Sequence, residues 1–98
     1  MFIYVLKLTN NKWYVGKTTN VVTRLEQHFN FGSVWTFMYK PLGIEKCFKG
    51  DHFDEDKWTL KYMNTYGVPN VRGGSFSQVK LDEDHIKMIT KQLQTAND

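Results

Sequence analysis

The chain has 98 residues, the length of one small domain, and 41% of them are hydrophobic, which is enough for a single compact core. Cys47 is the only cysteine, which excludes an intramolecular disulfide, and with three scattered histidines it forms no recognisable zinc motif. The formal net charge is +3, but residues 1–50 hold seven Lys/Arg against two acids, and residues 51–98 hold six against eight. A basic half beside an acidic half suits a polyanion bound with a divalent cation.

The apolar residues 2–6 are interrupted by Lys7 and carry neither a basic leader nor a small-residue cleavage site. They are therefore interpreted as a strand, and not as a signal peptide or a membrane span. We expect an intracellular protein, in the cytoplasm or the nucleus, that is not secreted and has no membrane partner.

The first half of the chain predicts a hairpin followed by a helix. Residues 2–8 and 13–16 are rich in β-branched and aromatic side chains on either side of turn residues 9–12, which is typical of a β-hairpin. Asn20 is placed to cap a helix that ends near Asn30 and Gly32. The apolar stripe expected on this helix consists of Val21, Val22, Leu25 and Phe29.

The second half predicts one further strand and two helices. Residues 33–41 are expected to be irregular, residues 43–48 to form a strand, and residues 51–54 to cap a helix that runs to Tyr66. Residues 71–75 follow as a loop. A last helix, capped by Asp82, places Ile86, Ile89 and Leu93 on one side, and residues 95–98 are expected to fray.

The order β-β-α-β-α-α predicts an α+β fold in one domain spanning residues 1–98. Its sheet is expected to be small, three-stranded and mainly antiparallel, with helices flanking it.

Gly16-Lys17-Thr18 has the ending of a nucleotide-binding P-loop, but the rest of that motif is missing. A P-loop needs a glycine five positions before Gly16, where this chain has Asn11. Residues 12–15 also have the composition of a strand, which cannot curl around phosphate oxygens. We therefore exclude a P-loop NTPase.

A set of spaced residues resembles the GIY-YIG nuclease family over about residues 2–66. It comprises Ile3-Tyr4, then Tyr14-Val15-Gly16, then Arg24 and His28, and then Glu55. Phe2 stands where the family has glycine, and Val15 where it has isoleucine. The later run from Tyr66 to Ser75 also resembles a segment that accompanies this domain in some proteins. The resemblance implies an endonuclease that hydrolyses phosphodiester bonds by a one-metal mechanism with Mg²⁺, or with Mn²⁺ in its place.

The resemblance implies roles for two tyrosines on paired strands. Tyr14 would activate or position the attacking water, Tyr4 would support it through a hydrogen bond, and Lys17 would assist. A free tyrosine has a pKa of about 10, so action as a base at neutral pH would need nearby cations or a metal-bound water. The alternative from the residues alone is that both aromatic rings simply pack.

Arg24 and His28 lie one helical turn apart at the edge of the predicted stripe, where a guanidinium can hold a phosphate through two N–H groups. The alternative is a solvated arginine beside a half-buried histidine. Glu55 shares a helical stripe with Trp58, Thr59, Tyr62 and Tyr66, whereas Asp54 and Asp56 fall on either side of it. The resemblance makes Glu55 the metal ligand, and a structural ion pair is the alternative.

Two further segments are candidates for contact with nucleic acid. Arg72, Gly73 and Gly74, together with Lys17, would offer cations and backbone N–H groups to phosphates, although the glycines also fit a flexible turn. Trp35, Phe37 and Tyr39 alternate along the chain and would either stack on bases or enter the core.

Double-stranded DNA is the expected substrate. Specificity would have to come from DNA shape, loops or a partner protein, because the sequence contains no separate base-reading motif. Two alternatives stay open at this level: a non-catalytic nucleic-acid-binding module of the same fold, and a protein-interaction domain that uses the aromatic surface near Trp35.

Overall fold

The structure is a computed structural model that describes residues 1–30, 32–78, 80–81 and 83–97. Its elements in chain order are β1 (Phe2–Leu8), β2 (Lys12–Thr18), α1 (Val21–Asn30), α2 (Val34–Met38), β3 (Pro41–Lys49), α3 (His52–Tyr66), β4 (Val71–Gly73) and α4 (Glu83–Asn97). The α+β class is confirmed. Within the described ranges, no helix is both long and apolar enough to cross a bilayer.

The sheet has four strands in the order β3-β1-β2-β4, with β1 antiparallel to both of its neighbours and β4 parallel to β2. The prediction of three mainly antiparallel strands is therefore wrong in number and in type. The missed strand is β4, which lies within residues 71–75 that were predicted to be a loop. Three residues are too few to show the alternation that marks a strand, and the partner of β4 is nearly sixty residues away in the chain.

The β1–β2 hairpin is regular along its whole length. Its register runs without interruption from the Phe2/Thr18 pair to the Leu8/Lys12 pair, so Phe2 leaves the hairpin intact. Asn10 and Asn11 make the connection with φ angles of 60° and 56°, a conformation that asparagine tolerates. Because β2 continues to Thr18, the Gly16-Lys17-Thr18 segment is strand, and the exclusion of a P-loop is confirmed.

Each face of the sheet carries its own apolar cluster. The cluster under α3 and α4 contains Ile3, Val5, Trp13, Val15, Tyr62, Met63, Val71, Phe76, Leu81 and Ile89. The cluster under α1 and α2 contains Tyr4, Leu6, Leu8, Tyr14 and Trp35, with Leu25 and Tyr39 packed against it. Alternation along β1 and β2 sends successive side chains to opposite faces, so both tyrosines of the motif face α1.

The apolar stripe predicted for α1 is only partly the buried side of that helix, since Leu25 packs against the core. Val22 and Phe29 are 68% and 60% exposed, whereas His28 is buried. The helix turns its Arg24 and His28 side toward the sheet, because the buried Tyr4 hydroxyl forms its hydrogen bonds with these two residues. A count of apolar residues could not reveal that requirement.

The helix boundaries follow the predicted caps closely. At the start of α1, the Asn20 side chain accepts from the Thr23 N–H at 3.1 Å. Asp51 caps the start of α3 in a capping box with Asp54. At the other end of α3, Tyr66 is followed by the C-cap Gly67, whose φ is 97°. Residues 33–41, predicted to be irregular, include α2, which begins at its own capping box between Ser33 and Thr36.

The last helix begins at Glu83, and its predicted cap Asp82 lies outside the described residues. Ile89 is buried and Leu93 packs against the core, but Ile86 is 42% exposed. The backbone is helical through residues 95–97, which were predicted to fray, and Asp98 lies outside the described residues.

Candidate active site

A cleft of about 660 Å³ opens between the β1–β2 hairpin, α1, the first turn of α3 and the loop after β4. Its lining residues are Tyr4, Tyr14, Lys17, Arg24, His52, Phe53, Glu55, Asp56, Gly74 and Ser75. Five of the six residues predicted for catalysis and metal binding line this one cavity. The sixth, His28, lies directly behind Tyr4.

A chain of hydrogen bonds fixes Tyr4 at the back of the cleft. Its hydroxyl lies 2.7 Å from His28 Nε2, and His28 Nδ1 lies 3.0 Å from Thr36 Oγ1. Thr36 Oγ1 is placed to donate to the Ser33 carbonyl at 3.2 Å, and with that arrangement we assign His28 Nδ1–H as the donor to Thr36. Nε2 is then left to accept the Tyr4 proton, while Arg24 Nε donates to the Tyr4 oxygen at 3.2 Å. The donors therefore run in the order Arg24, Tyr4, His28 and Thr36, and the Ser33 carbonyl accepts the last bond.

Burial sets the protonation states of the titratable residues in and beside this hydrogen-bond chain. It lowers the pKa of His28 to about 4, and the charge of Arg24 acts in the same direction. Burial also raises the pKa of Tyr14, which Arg24 offsets only in part, and raises the pKa of Tyr4, where Tyr14 adds to the effect. At neutral pH His28 is therefore a neutral acceptor and both phenols keep their protons. The phenols can position a water, but in their protonated form they cannot act as general bases.

Glu55 faces Lys17 across the cleft. One carboxylate oxygen of Glu55 lies 3.6 Å from Lys17 Nζ, which also donates to His52 Nδ1 at 2.7 Å. Burial raises the pKa of the Glu55 carboxyl, and Lys17 opposes that effect. A buried carboxylate favours the approach of a further positive charge.

The three acids of residues 54–56 point to different surroundings, as the helical periodicity predicted. The Asp54 carboxylate accepts the Asp51 N–H within the cap of α3. The Asp56 carboxylate accepts the Ser75 N–H at 2.8 Å and the Ser75 hydroxyl at 2.7 Å, which ties the loop after β4 to the cleft. Glu55 alone of the three faces Lys17.

The donor set of the cleft fits a magnesium ion better than a zinc ion. Across the described parts of the chain, no group of three or more His, Cys, Asp or Glu side chains is placed to hold a metal. Mg²⁺ commonly takes one or two carboxylates and keeps waters or substrate phosphates as its remaining ligands. Glu55 supplies such a carboxylate, and the cavity leaves room for the other ligands.

Arg72 does not line the cleft. It is 4% exposed, lies 4.6 Å from the Trp35 ring centroid, and donates to the carbonyls of Val68, Val71 and Gln78 at 2.6–2.7 Å. The prediction that Arg72 offers its charge to nucleic acid is contradicted by this burial. These hydrogen bonds instead connect β4 with the segments before and after it, a role that residue type and spacing could not indicate.

The other candidates for nucleic-acid contact are divided between sheet, core and surface. Gly73 pairs with Val15 inside the sheet, whereas Gly74 lines the cleft. Trp35 is buried and donates its Nε1–H to the Trp13 carbonyl, and Tyr39 is half-buried, in agreement with the core alternative. Phe37 is 75% exposed and lies away from the cleft.

Sequence reasoning missed four residues at or behind the cleft: His52, Phe53, Asp56 and Thr36. His52 was within reach, because it stands three positions before Glu55 and so shares its helix face. Thr36 lies in a segment without regular periodicity, and its contact with His28 depends on how α2 packs against α1. Nothing in the sequence indicated that contact.

The family model for the GIY-YIG catalytic domain matches residues 1–67. The matched segment contains Tyr4, Tyr14, Arg24, His28 and Glu55, which are the residues that meet at the cleft. Comparisons with curated proteins and with solved structures give no match to this chain.

Proposed function

This chain belongs to the GIY-YIG family, and we propose that it is an endonuclease that hydrolyses phosphodiester bonds in double-stranded DNA with Mg²⁺ or Mn²⁺ as cofactor. The family consists of nucleases, which supports hydrolase activity on nucleic acid. The observation that carries the proposal is the convergence of Tyr14, Lys17, Arg24 and Glu55 on one cleft from three separate elements.

Glu55 is the residue that would hold the metal ion. When bound there, a divalent cation lowers the pKa of a coordinated water and offsets negative charge on the phosphate. Lys17, 3.6 Å from Glu55, opposes the rise in the pKa of that carboxyl caused by burial and adds a positive charge beside the reacting phosphate.

Arg24 orients the phosphate, and the two tyrosines orient the water. The Arg24 guanidinium is held at Nε by Tyr4 and at Nη1 by Gln27, so it enters the cleft in one orientation. Such a fixed cation stabilises the charge that develops on phosphate oxygens without reorganising during the reaction. Tyr14 keeps its proton and positions the attacking water, while His28 holds Tyr4 in place.

The wall formed by Gly74 and Ser75 is the proposed contact for a neighbouring phosphate. Asp56 accepts the Ser75 N–H and so fixes this loop, and a phosphate there would meet the Gly74 backbone at the edge of the cleft. Contacts of this kind position a duplex without reading its bases. We therefore propose that a partner protein or DNA shape supplies the specificity.

The test is cleavage of supercoiled plasmid by the purified protein with Mg²⁺, with Mn²⁺ or with EDTA. The variant Glu55→Gln removes the proposed ligand with little change of shape. The variant Glu26→Gln makes the same chemical change on an exposed part of α1, outside the cleft. Circular dichroism and thermal melting confirm that both variants are folded.

We expect nicked or linear plasmid from the wild type and from Glu26→Gln only when a divalent ion is present, and none from Glu55→Gln. Equal cleavage by all three proteins would contradict the role of Glu55. Salt-sensitive DNA binding without cleavage by the wild type would favour the non-catalytic binding module, because phosphate contacts release counterions whether or not chemistry follows.

A further inference from the structure

Phe53 is the most exposed large apolar side chain in the described parts of the chain, at 85%, and it lines the candidate cleft. Exposed phenylalanine gives up the stabilisation that burial of its ring would bring. Its neighbours in the cleft are mostly charged or polar, so it does not belong to a larger apolar patch there.

The ring is held on a rigid support next to the proposed metal ligand. Phe53 is the second residue of α3, and its N–H donates to the Asp51 cap at 2.9 Å. It follows His52, which contacts Lys17, and precedes Glu55 by two positions. Any group that stacks on the ring therefore lies close to the metal ligand.

The surroundings of Phe53 favour a nucleobase over an apolar protein surface. A protein partner covering the ring would have to desolvate Lys17, Arg24 and Glu55 as well, which is costly without matched charges. A nucleotide offers an aromatic face to the ring and a phosphate to the cations.

We propose that Phe53 stacks on the base of a nucleotide adjacent to the scissile phosphate, an inference that rests on the proposed nuclease function. Stacking of this kind requires the base to leave its neighbours in the duplex. The preferred substrate is therefore nucleic acid in which that base is unpaired, as at a gap, a bulge or a single-stranded segment.

The experiment measures binding to single-stranded DNA oligonucleotides that carry 2-aminopurine at successive positions, in EDTA so that no cleavage occurs. The variants are Phe53→Ala and Phe53→Trp. The matched control is Phe37→Ala, which removes an equally large ring that is 75% exposed but lies outside the cleft.

Wild type, Phe53→Trp and Phe37→Ala should quench 2-aminopurine fluorescence at one or two positions, because a stacked base is quenched. Phe53→Ala should lose that quenching and bind about 5- to 150-fold more weakly, the loss typical of one stacked base. With Mg²⁺, the same variant should lose the wild-type preference for a gapped over an intact duplex.

Unchanged quenching and affinity in Phe53→Ala would overturn the inference, as would an equal loss in Phe37→Ala. Because binding is measured without metal, the stacking and the nuclease function are tested independently. Phe53-dependent quenching without cleavage in Mg²⁺ overturns only the nuclease function, and cleavage that ignores Phe53 overturns only the stacking. A wild type that binds no oligonucleotide overturns the stacking, and the nuclease function is then decided by the plasmid assay alone.

Discussion

Tyr4 and Gly16 are Cα partners across β1 and β2, and the ring of Tyr4 occupies the space that a side chain at position 16 would need. The glycine of the second motif is thus required by close packing and not by an unusual backbone angle, since its φ is not positive. With position 16 empty, the Tyr4 hydroxyl reaches Arg24 and His28.

The variant Gly16→Ala should therefore displace Tyr4. We expect the free energy of unfolding to fall by about 1–3 kcal/mol from overpacking. Cleavage should fall by roughly 100-fold, because Arg24 and Tyr14 lose their fixed positions. Chemical denaturation and plasmid cleavage measure the two effects. The variant Gly43→Ala, at a strand position with open space around it, is the control and should lower neither quantity.

His28 should make the folded protein sensitive to acid. Its pKa is about 4 in the folded state and 6.5 in a free histidine, so below pH 6.5 the unfolded chain takes up a proton that the folded chain resists. The contribution to stability is complete above pH 6.5 and is lost as the pH falls toward 4, by roughly 3 kcal/mol in total.

Urea unfolding of the wild type and of His28→Gln at several pH values between 4 and 7 measures this contribution. The slope of stability against pH should be smaller in His28→Gln over that window. A wild-type slope in His28→Gln would contradict the assignment.

Asp56 should act on the reaction through the loop that it anchors. The variant Asp56→Ala removes both acceptors of Ser75, so we expect faster hydrogen exchange at the Ser75 amide. We also expect kcat/KM to fall roughly 10- to 100-fold as the phosphate contact becomes mobile. Asp54→Ala disturbs only the cap of α3 and should leave Ser75 exchange unchanged. Slow exchange in Asp56→Ala would show that other contacts hold the loop.

Arg72 should matter for stability and not for DNA binding. Replacing it with Leu leaves three backbone carbonyls without their donor, and we expect the free energy of unfolding to fall by about 3 kcal/mol. The folded variant should bind DNA within about twofold of wild type, whereas Lys17→Met, inside the cleft, should weaken binding and reduce its salt dependence. The reverse pattern would restore Arg72 as a phosphate contact.

Local chemistry was sufficient to predict several features. Asn20 and Asp51 mark the starts of α1 and α3 because their side chains cap neighbouring N–H groups whatever the rest of the fold does. The three- and four-residue spacing singled out Glu55 among three adjacent acids, since helical periodicity alone decides which side of α3 it occupies.

The sequence by itself therefore determined the hairpin, most helix boundaries, the α+β class and the set of residues that resembles a nuclease, all of which depend on neighbours in the chain. Tertiary structure alone decided that β4 joins the sheet, that Arg72 is buried against Trp35, and that α1 turns His28 inward. Each of these depends on a partner distant in sequence: β2 for β4, α2 for Arg72, and β1 for α1. The exposed ring of Phe53 belongs to the same group, because exposure is a property of the packed molecule and not of the residue.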